Sequence, residues 1–374
     1  MTEKLSLPLR LANSLYQICR LLVLLYTAFL VIMSLAWLIA PQGTWWIAMS
    51  YVLAPNFFLL APFVFIFTLF KRKKEFVIAS VLIAVLYLAQ FSGYFLPPSQ
   101  SKQQSVESLK IVSFNQLFTN RTGEETLAYV KSLDVDFIVM QEVSPGVAKG
   151  FEEDPEIRER YPYQLLRPHD GAAGQAILSR IPFTDMGINS SKVRIQAVQF
   201  MHGQEVITLL NAHSQPPYFI MSLVRDHETP LRNIPVIKNL PLLDKYDISL
   251  RDASMLALIE LIDQLQGNLI IAGDLNTPDR DPIYALLAER MTDAYASTNW
   301  GYGFTFPNRP FVKSLNLHLP VPMVRLDYVW TRGGFLQPLN SHVDCSPRSS
   351  DHCALFAEIG LGVDQEVGRN GQGE

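Results

Sequence analysis

Several separated segments of the sequence place amides, carboxylates and histidines directly beside short apolar runs. The residues concerned are Asn115, Glu142, His213, Asp274, Asn276, Asp327, Asp351 and His352. Carboxylate and amide oxygens are the ligands that a hard divalent cation such as Mg²⁺ prefers, and a histidine paired with a carboxylate is a common general base. These residue types suit phosphoester hydrolysis, which needs a cation, an activated water and hydrogen-bond donors for the phosphate charge.

The apolar runs beside these residues predict the strands of one α/β domain. They cover residues 109–114, 137–141, 175–178, 206–210, 268–272, 326–330 and 354–359. Apolar residues at helical spacing predict an amphipathic helix over 251–266, packed on a sheet. Because strand ends can meet at one edge of a sheet, we expect the polar side chains to line one cleft.

Each segment also has a simpler interpretation when it is taken alone. Asn115 and Glu142 are residue types that cap turns, and Asp274 and Asn276 can bond their own backbone. His213 could be a hydrogen-bonded core histidine, and residues 351–352 could be a solvated loop pair. All of these interpretations would have to hold together and in this chain order, so the sequence favours a catalytic site.

The ordered series SFN, QE, NxH, GDLN, RLDY and SDH, over residues 109–360, resembles the endonuclease/exonuclease/phosphatase superfamily. That superfamily includes pancreatic DNase, base-excision AP endonucleases, neutral sphingomyelinases and inositol-polyphosphate 5-phosphatases. Each tripeptide alone is weak evidence, whereas the ordered series is specific. The resemblance implies a four-layered α/β sandwich and hydrolysis of phosphoesters with a divalent metal.

The resemblance also implies a metal site. Glu142 and Asn115 match the cradle that holds the metal in the family, and Asp351 would support the metal. The expected cofactor is Mg²⁺, with Mn²⁺ as the alternative.

The same resemblance implies catalytic roles for the remaining polar residues. Asp274 would orient or deprotonate the attacking water, and the Asn276 amide would donate to a non-bridging phosphate oxygen. His213 would donate to the phosphate. His352, oriented by Asp327, would act as the base or stabilise the transition state. Whether Asp274 or His352 is the base stays open at this stage.

The N-terminal quarter of the chain has a different character. Residues 21–70 contain no charged side chain and no histidine, and apolar segments over 21–40, 45–70 and 76–95 are each long enough to cross a bilayer of about 30 Å. We therefore predict three transmembrane helices. A cleavable signal peptide is the alternative for the first segment, but two more apolar segments follow it.

Basic residues predict the orientation of these segments. Residues before Pro97 carry seven basic and two acidic side chains, and the basic ones cluster before residue 21 and at 71–74. Basic loops stay on the cytoplasmic side, so three spans export the domain that follows to the periplasmic or extracellular side. The predicted organisation is a cytoplasmic N-terminus (1–20), a membrane anchor (21–97), a linker (98–108), a catalytic domain (109–361) and a disordered tail (362–374).

Charge also bears on the substrate. The chain has a net charge of −4, and the part after the membrane segments has 24 basic and 33 acidic residues, a net charge of −9. Proteins that bind nucleic acid without sequence preference present basic surfaces, so nucleic acid is disfavoured as a partner. The prediction is a membrane-anchored, divalent-metal-dependent hydrolase of a lipid or nucleotide phosphodiester. The alternatives are a metal-dependent nuclease on extracellular DNA and a non-catalytic scaffold on the same fold.

The composition excludes two other classes of protein. With 49% hydrophobic and 18% charged residues the chain is not a disordered protein, and its three cysteines form no CxxC pair typical of a zinc ribbon. Cys345 and Cys353 flank residues 350–352, and either a disulfide or two buried thiols would fit the sequence.

Overall fold

The computed structural model describes residues 7–39, 44–96, 107–217, 246–308, 322–347 and 349–362. The chain divides into two compact units, Met1–Leu96 and Pro97–Glu374. Most of the predicted linker, most of the long segment between His213 and the 251–266 helix, and the predicted tail after residue 362 lie outside the described residues.

The first unit is helical. Its helices are α1 (Leu7–Ile39), α2 (Trp45–Leu53), α3 (Ala61–Lys71) and α4 (Lys74–Phe91). Leu11–Ile39 and Lys74–Tyr94 are long and apolar enough to cross a membrane. The first helix begins at Leu7, well before residue 21, where the apolar segment starts, because Pro8 lies in the first turn, where a helix tolerates proline.

The segment predicted as the middle span is not one straight helix. Trp46–Leu53 and Pro55–Lys71 are bent by 63° relative to each other, so the described residues of this unit contain two helices long and apolar enough to cross a membrane, or three if the bent pair counts as one. The cause is Pro55, which has no N–H to donate and ends the helix before it. The hydroxyl of Tyr26 donates to the carbonyl of Phe57 at 2.8 Å, which satisfies one backbone group near the break.

The second unit contains two six-stranded sheets. Sheet 1 has the order β11-β12-β1-β2-β4-β3 and sheet 2 the order β5-β6-β7-β8-β10-β9. The strands are β1 (Glu107–Asn115), β2 (Phe137–Gln141), β3 (Tyr163–Arg167), β4 (Gln175–Ser179), β5 (Thr184–Asp185), β6 (Arg194–His202), β7 (Glu205–His213), β8 (Asn268–Asp274), β9 (Thr292–Asp293), β10 (Asp327–Arg332), β11 (Leu336–Asp344) and β12 (Ala354–Leu361).

The helices of this unit cover the outer faces of the sheets, except for the last, which packs against the core between them. They are α5 (Glu124–Ser132), α6 (Pro145–Glu153), α7 (Pro155–Arg160), α8 (Ser249–Gln264), α9 (Pro282–Ala288) and the short α10 (Ala294–Thr298). One apolar core lies between the sheets and joins residues such as Phe137 and Phe200. A second core joins sheet 1 to α5–α7, and a third joins sheet 2 to α8 and α9. The expected four-layered α/β sandwich is confirmed.

All seven predicted strands are present, and the predicted helix over 251–266 is α8. Five strands were not predicted: β5 and β9, which have two residues each, and β3, β6 and β11, in which polar residues interrupt the apolar ones. Cys345 and Cys353 form a disulfide, which decides between the two alternatives for this pair.

Candidate active site

Strand direction brings the predicted site residues to one edge of the sandwich. In sheet 1, β1 and β2 are parallel, so Asn115 ends one strand and Glu142 directly follows the next. In sheet 2, β7 and β8 are parallel, and His213 pairs in register with Asp274. The antiparallel strand β10 begins at the same level, where Asp327 lies opposite Asp274.

His352 reaches this edge because β12 runs antiparallel to β1. The loop before β12 is therefore next to the end of β1, and the hydroxyl of Ser350 donates to the backbone carbonyl of Asn115 at 2.5 Å. The amide N–H of His352 in turn donates to Ser350 Oγ at 3.0 Å. These contacts attach the histidine loop to the predicted metal ligand.

One carboxylate oxygen, Asp274 Oδ2, lies close to four other polar side chains of the site. It accepts hydrogen bonds from Asn115 Nδ2 at 3.0 Å and from Asn276 Nδ2 at 3.3 Å. It also lies 3.7 Å from Nε2 of both His213 and His352. Burial raises the pKa of Asp274 from 3.8 to about 7, although the positive charge of His352 opposes the shift. The two sheets are thus joined around a carboxyl group that can exchange a proton near neutral pH.

Glu142 lies at the other end of the site. Its Oε2 accepts the backbone N–H of Phe118 at 3.0 Å, and its Oε1 is 3.9 Å from His213 Nε2. Burial raises the pKa of Glu142, and the nearby charge of Asp351 raises it further. The structure therefore places Asn115, Glu142 and Asp351 near one another, with Asn115 buried and the two carboxylates partly exposed.

His352 and Asp327 form a buried pair. His352 Nδ1 is 2.8 Å from Asp327 Oδ2, and the ring of Phe306 lies 4.8 Å from the imidazole. Burial alone would lower the pKa of His352, but the carboxylates of Asp327 and Asp274 outweigh it and raise the pKa well above 6.5. The predicted pairing is therefore present.

His213 has a different partner, which sequence reasoning missed. Its Nδ1 is 3.4 Å from an amino group of Arg194, whose other amino group donates to Gln215 at 2.9 Å. Burial, followed by the charge of Arg194, lowers the pKa of His213 well below 6.5, so this ring is neutral. Arg194 begins β6 in register with His213, and the mostly apolar run over residues 195–200, interrupted by two glutamines, was the signal that could have located it.

Two site residues have left-handed backbones. Asn276 has φ = 48°, which asparagine adopts readily, whereas Glu142 has φ = 59°, which is rare for glutamate. Such conformations cluster at functional sites, where the surrounding structure maintains them. Gly273 is required for a different reason: a Cβ atom there would meet the carbonyl oxygen of Ala212 at 1.8 Å.

Asn211, the first residue of the NxH motif, lies below the site. It is fully buried and joins the two sheets, accepting from Gln141 Nε2 at 2.9 Å and donating to the Met140 carbonyl at 2.8 Å. Its role is to hold the sheets together, while His213 two residues later faces the cleft.

The donor set fits a divalent cation. Asp274, Asp327 and His352 each offer a ligand atom, and these atoms lie within 4.8 Å of one another. Among the described residues, Asp327 Oδ1 is buried without a hydrogen-bond partner. Buried carboxylates whose pKa values are raised by burial gain stability from a bound cation. The site therefore offers two sets of candidate ligands, Asn115, Glu142 and Asp351 on one side and Asp274, Asp327 and His352 on the other.

Comparison with known proteins agrees with this architecture. Residues 112–352 match the profile described as "Endonuclease/Exonuclease/phosphatase family". Because the match spans well over half of the chain, the chain belongs to this family of phosphoester hydrolases. A comparison with curated proteins found no match.

Several solved structures are similar to this chain. An endonuclease/exonuclease/phosphatase from Bacteroides vulgatus is 14% identical, with a TM-score of 0.45, over 68% of this chain and 100% of that chain. TDP2 of D. rerio, complexed with a single-strand DNA product, is 14% identical over 68% of this chain and 99% of that chain, with a TM-score of 0.47. Sphingomyelinase C from Streptomyces griseocarneus is 16% identical over 68% of this chain and 99% of that chain, with a TM-score of 0.45.

Proposed function

We propose that this protein is a membrane-anchored, divalent-metal-dependent phosphodiesterase whose catalytic unit acts outside the cytoplasmic face. The observation that carries the proposal is the position of Asp274 Oδ2, in contact with Asn115, Asn276 and both histidines. A purely structural carboxylate would not need two histidines and two amides around one oxygen. The family membership restricts the chemistry to phosphoesters.

The residues divide into two functions in the proposed reaction. Asp274 is the proton acceptor for water, because its pKa of about 7 lets it hold or release a proton at neutral pH. His352, charged and held by Asp327, faces the developing negative charge on the phosphate with Nε2. This assignment chooses Asp274 over His352 as the base, since a histidine with a pKa well above 6.5 is already protonated.

The phosphate oxygens would be bound by donors on the opposite side of the cleft. Arg194 is a permanent cation within 3.4 Å of the neutral His213, so both can donate to one anionic group. The Asn276 amide donates to Asp274 Oδ2 at 3.3 Å and to the Ser214 carbonyl at 3.1 Å. When substrate binds, the longer hydrogen bond, to Asp274 Oδ2, would be replaced by a hydrogen bond to a phosphate oxygen.

Glu142 and Asn115 are the proposed ligands of Mg²⁺, or of Mn²⁺, and Asp351 supports them. Bound there, the ion would neutralise phosphate charge and increase the acidity of water. The left-handed backbone of Glu142 directs its side chain toward Asn115 instead of continuing the strand.

The substrate class follows from charge and tethering. The net charge of −9 after the membrane segments disfavours a polyanion with many phosphates, and the apolar helices would hold the unit beside a bilayer. A lipid or nucleotide phosphodiester is therefore the proposed substrate, and DNA is the alternative. Export of the catalytic unit can be tested with a reporter fused after Gly362, since reporter activity confined to the cytoplasm would contradict it.

The test of activity is a substrate panel on the full chain in detergent, with EDTA, Mg²⁺ or Mn²⁺. It comprises sphingomyelin, phosphatidylinositol phosphates, nucleotides, plasmid DNA and the generic diester bis(p-nitrophenyl) phosphate. We expect metal-dependent hydrolysis of a diester that His352→Ala abolishes. His342→Ala is the matched control, because His342 is an exposed histidine of the same unit that stacks on Phe356. Absence of any metal-dependent hydrolysis, or equal activity in His352→Ala, would overturn the proposal.

A further inference from the structure

Arg325 lies two residues before Asp327 and is almost completely buried, with 2% of its surface exposed. Its guanidinium binds two carboxylates from different loops. One amino group is 2.8 Å from Asp293 Oδ2 and 3.3 Å from Asp279 Oδ2, and the other donates to Asp293 Oδ1 at 3.2 Å. A buried arginine with two acidic partners from separate segments is an expensive arrangement, which suggests a specific role.

Three tyrosine rings surround the same guanidinium. Their ring centres lie 4.8 Å (Tyr328), 5.4 Å (Tyr295) and 5.9 Å (Tyr284) from the guanidinium carbon. The hydroxyl of Tyr284 also donates to Asp293 at 2.7 Å. A planar fork with faces for aromatic rings is a property of arginine, and lysine cannot reproduce it. We call Arg325, Asp279, Asp293 and the three tyrosines the arginine cluster.

The arginine cluster contacts the segment that carries Asn276. The hydroxyl of Tyr328 donates to the carbonyl of Thr277 at 2.7 Å and to that of Arg325 at 3.0 Å. The backbone N–H of Leu275 donates to the carbonyl of Leu326 at 2.9 Å. The arginine cluster therefore contacts both the loop after β8 and the start of β10, and it fixes the distance between them.

The arginine cluster also reaches the loop that packs on His352. Tyr295 donates to the carbonyl of Trp300 at 3.2 Å, and a Cβ at Gly303 would lie 2.4 Å from its ring. This loop continues to Thr305, whose hydroxyl accepts the backbone N–H groups of Leu326 and Asp327 at 3.1 and 3.3 Å. The next residue is Phe306, whose ring packs at a tilt against the imidazole of His352.

We propose that Arg325 is a positioning residue that holds the segments bearing Asn276, Asp327 and Phe306 at their catalytic spacing. It acts through Asp279, Asp293 and the tyrosines and does not touch the substrate. The chain offers a matched control in Arg251. That arginine is fully buried and lies 2.6 Å from both Asp252 and Asp281, and within the described part of the chain it forms no ion pair with Asp279, Asp293 or Asp327.

The first experiment is hydrogen exchange on the full chain for the wild type, Arg325→Lys and Arg251→Lys. Arg325→Lys should speed amide exchange in residues 275–281, 299–308 and 322–330 at least about tenfold, because local opening becomes easier there. Arg251→Lys should speed amide exchange mainly around residues 246–262 and should leave exchange in residues 299–308 and 322–330 unchanged. Exchange in Arg325→Lys that is unchanged in these three segments, or raised equally everywhere, would overturn the proposal.

The second experiment is kinetic, and it alone rests on the proposed function. At a temperature where all variants are folded, Arg325→Lys should lower kcat about 10²-fold, as expected when catalytic groups are displaced by about 1 Å. The KM should change less than threefold, and Arg325→Met should be worse than Arg325→Lys. Arg251→Lys should keep a kcat near that of the wild type. An unaltered kcat in folded Arg325→Lys would refute a positioning role, whereas an inactive wild type would refute only the proposed function.

Discussion

Nδ1 of His352 lies 2.8 Å from Oδ2 of Asp327, and Nε2 of the same ring lies 3.7 Å from Oδ2 of Asp274. The imidazole is thus held between a carboxylate that fixes its orientation and a carboxylate at the centre of the cleft. The two carboxylates raise the pKa of the ring well above 6.5, which suits a donor to phosphate.

This relationship predicts the effect of Asp327→Asn. A carboxamide has the shape of the carboxylate but does not stabilise an imidazolium, so kcat should fall about 10²–10⁴-fold, with a smaller change in KM. The measurement is steady-state hydrolysis of a diester with saturating Mg²⁺. Asp134→Asn is the control, because Asp134 is an exposed carboxylate that pairs with Arg180 before the start of β2, at the opposite end of that strand from Glu142. A kcat within twofold of wild type in Asp327→Asn would contradict the assignment.

Arg194 yields the second prediction. Arg194→Met keeps most of the side-chain volume but removes the cation beside His213, and kcat/KM should fall about 10²–10³-fold, as for other lost donors to an oxyanion. Arg194→Lys should recover part of the loss. Arg167→Met is the comparison, because Arg167 pairs with Asp185 on the surface. If both methionine variants lose the same amount of activity, Arg194 does not contact the phosphate.

The third prediction concerns stability in EDTA as a function of pH. In the unfolded chain Asp274 releases its proton near its ordinary pKa of 3.8, whereas the folded chain keeps it up to about 7. The contribution of Asp274 is therefore fully present below pH 3.8 and is lost as the pH rises through 7. His352, with a pKa raised above 6.5, contributes with the same sign.

Between pH 6.5 and 8 the free energy of unfolding should therefore fall by about 1 kcal/mol on account of Asp274. His213 offsets part of this fall close to pH 6.5, because its pKa is lowered on folding and the unfolded chain still binds part of a proton there. The measurement is chemical denaturation across this range for the wild type and Asp274→Asn. The variant should show a flatter profile, and Mn²⁺ should restore stability at pH 8. A wild-type profile that rises with pH would contradict the assigned direction.

The disulfide between Cys345 and Cys353 yields the fourth prediction. It closes the loop that contains Ser350, Asp351 and His352, with eight residues of sequence separation. Opening a disulfide loop of this size should lower the free energy of unfolding by about 2–3 kcal/mol by the chain-entropy account. The paired replacement Cys345→Ser and Cys353→Ser should lower the Tm and also kcat. Cys19→Ser, which removes the free cysteine, should leave both unchanged. Equal kcat with and without the disulfide would show that other contacts alone hold the loop.

Much of the sandwich could be predicted because its strands are continuous apolar runs. Residues 137–141 and 268–274 are completely buried, and such runs stand out in the sequence. β6 was missed because glutamines interrupt its apolar residues. One of them, Gln196, bonds Asn211 and a carbonyl group of sheet 1. Arg194 was missed with this strand. The bend at Pro55 was missed because hydropathy does not report backbone donors.

The sequence by itself predicted a set of candidate catalytic side chains, since strand periodicity and the ordered motifs are local properties of the chain. It also determined the apolar character of the first unit. Only the tertiary structure decided that Asp274 is the shared contact of two histidines, that Cys345 pairs with Cys353, that Arg194 lies beside His213, and that Arg325 is buried against Asp293. The physical reason is that pKa values, ion pairs and strand registers depend on burial and distance between residues far apart in the chain.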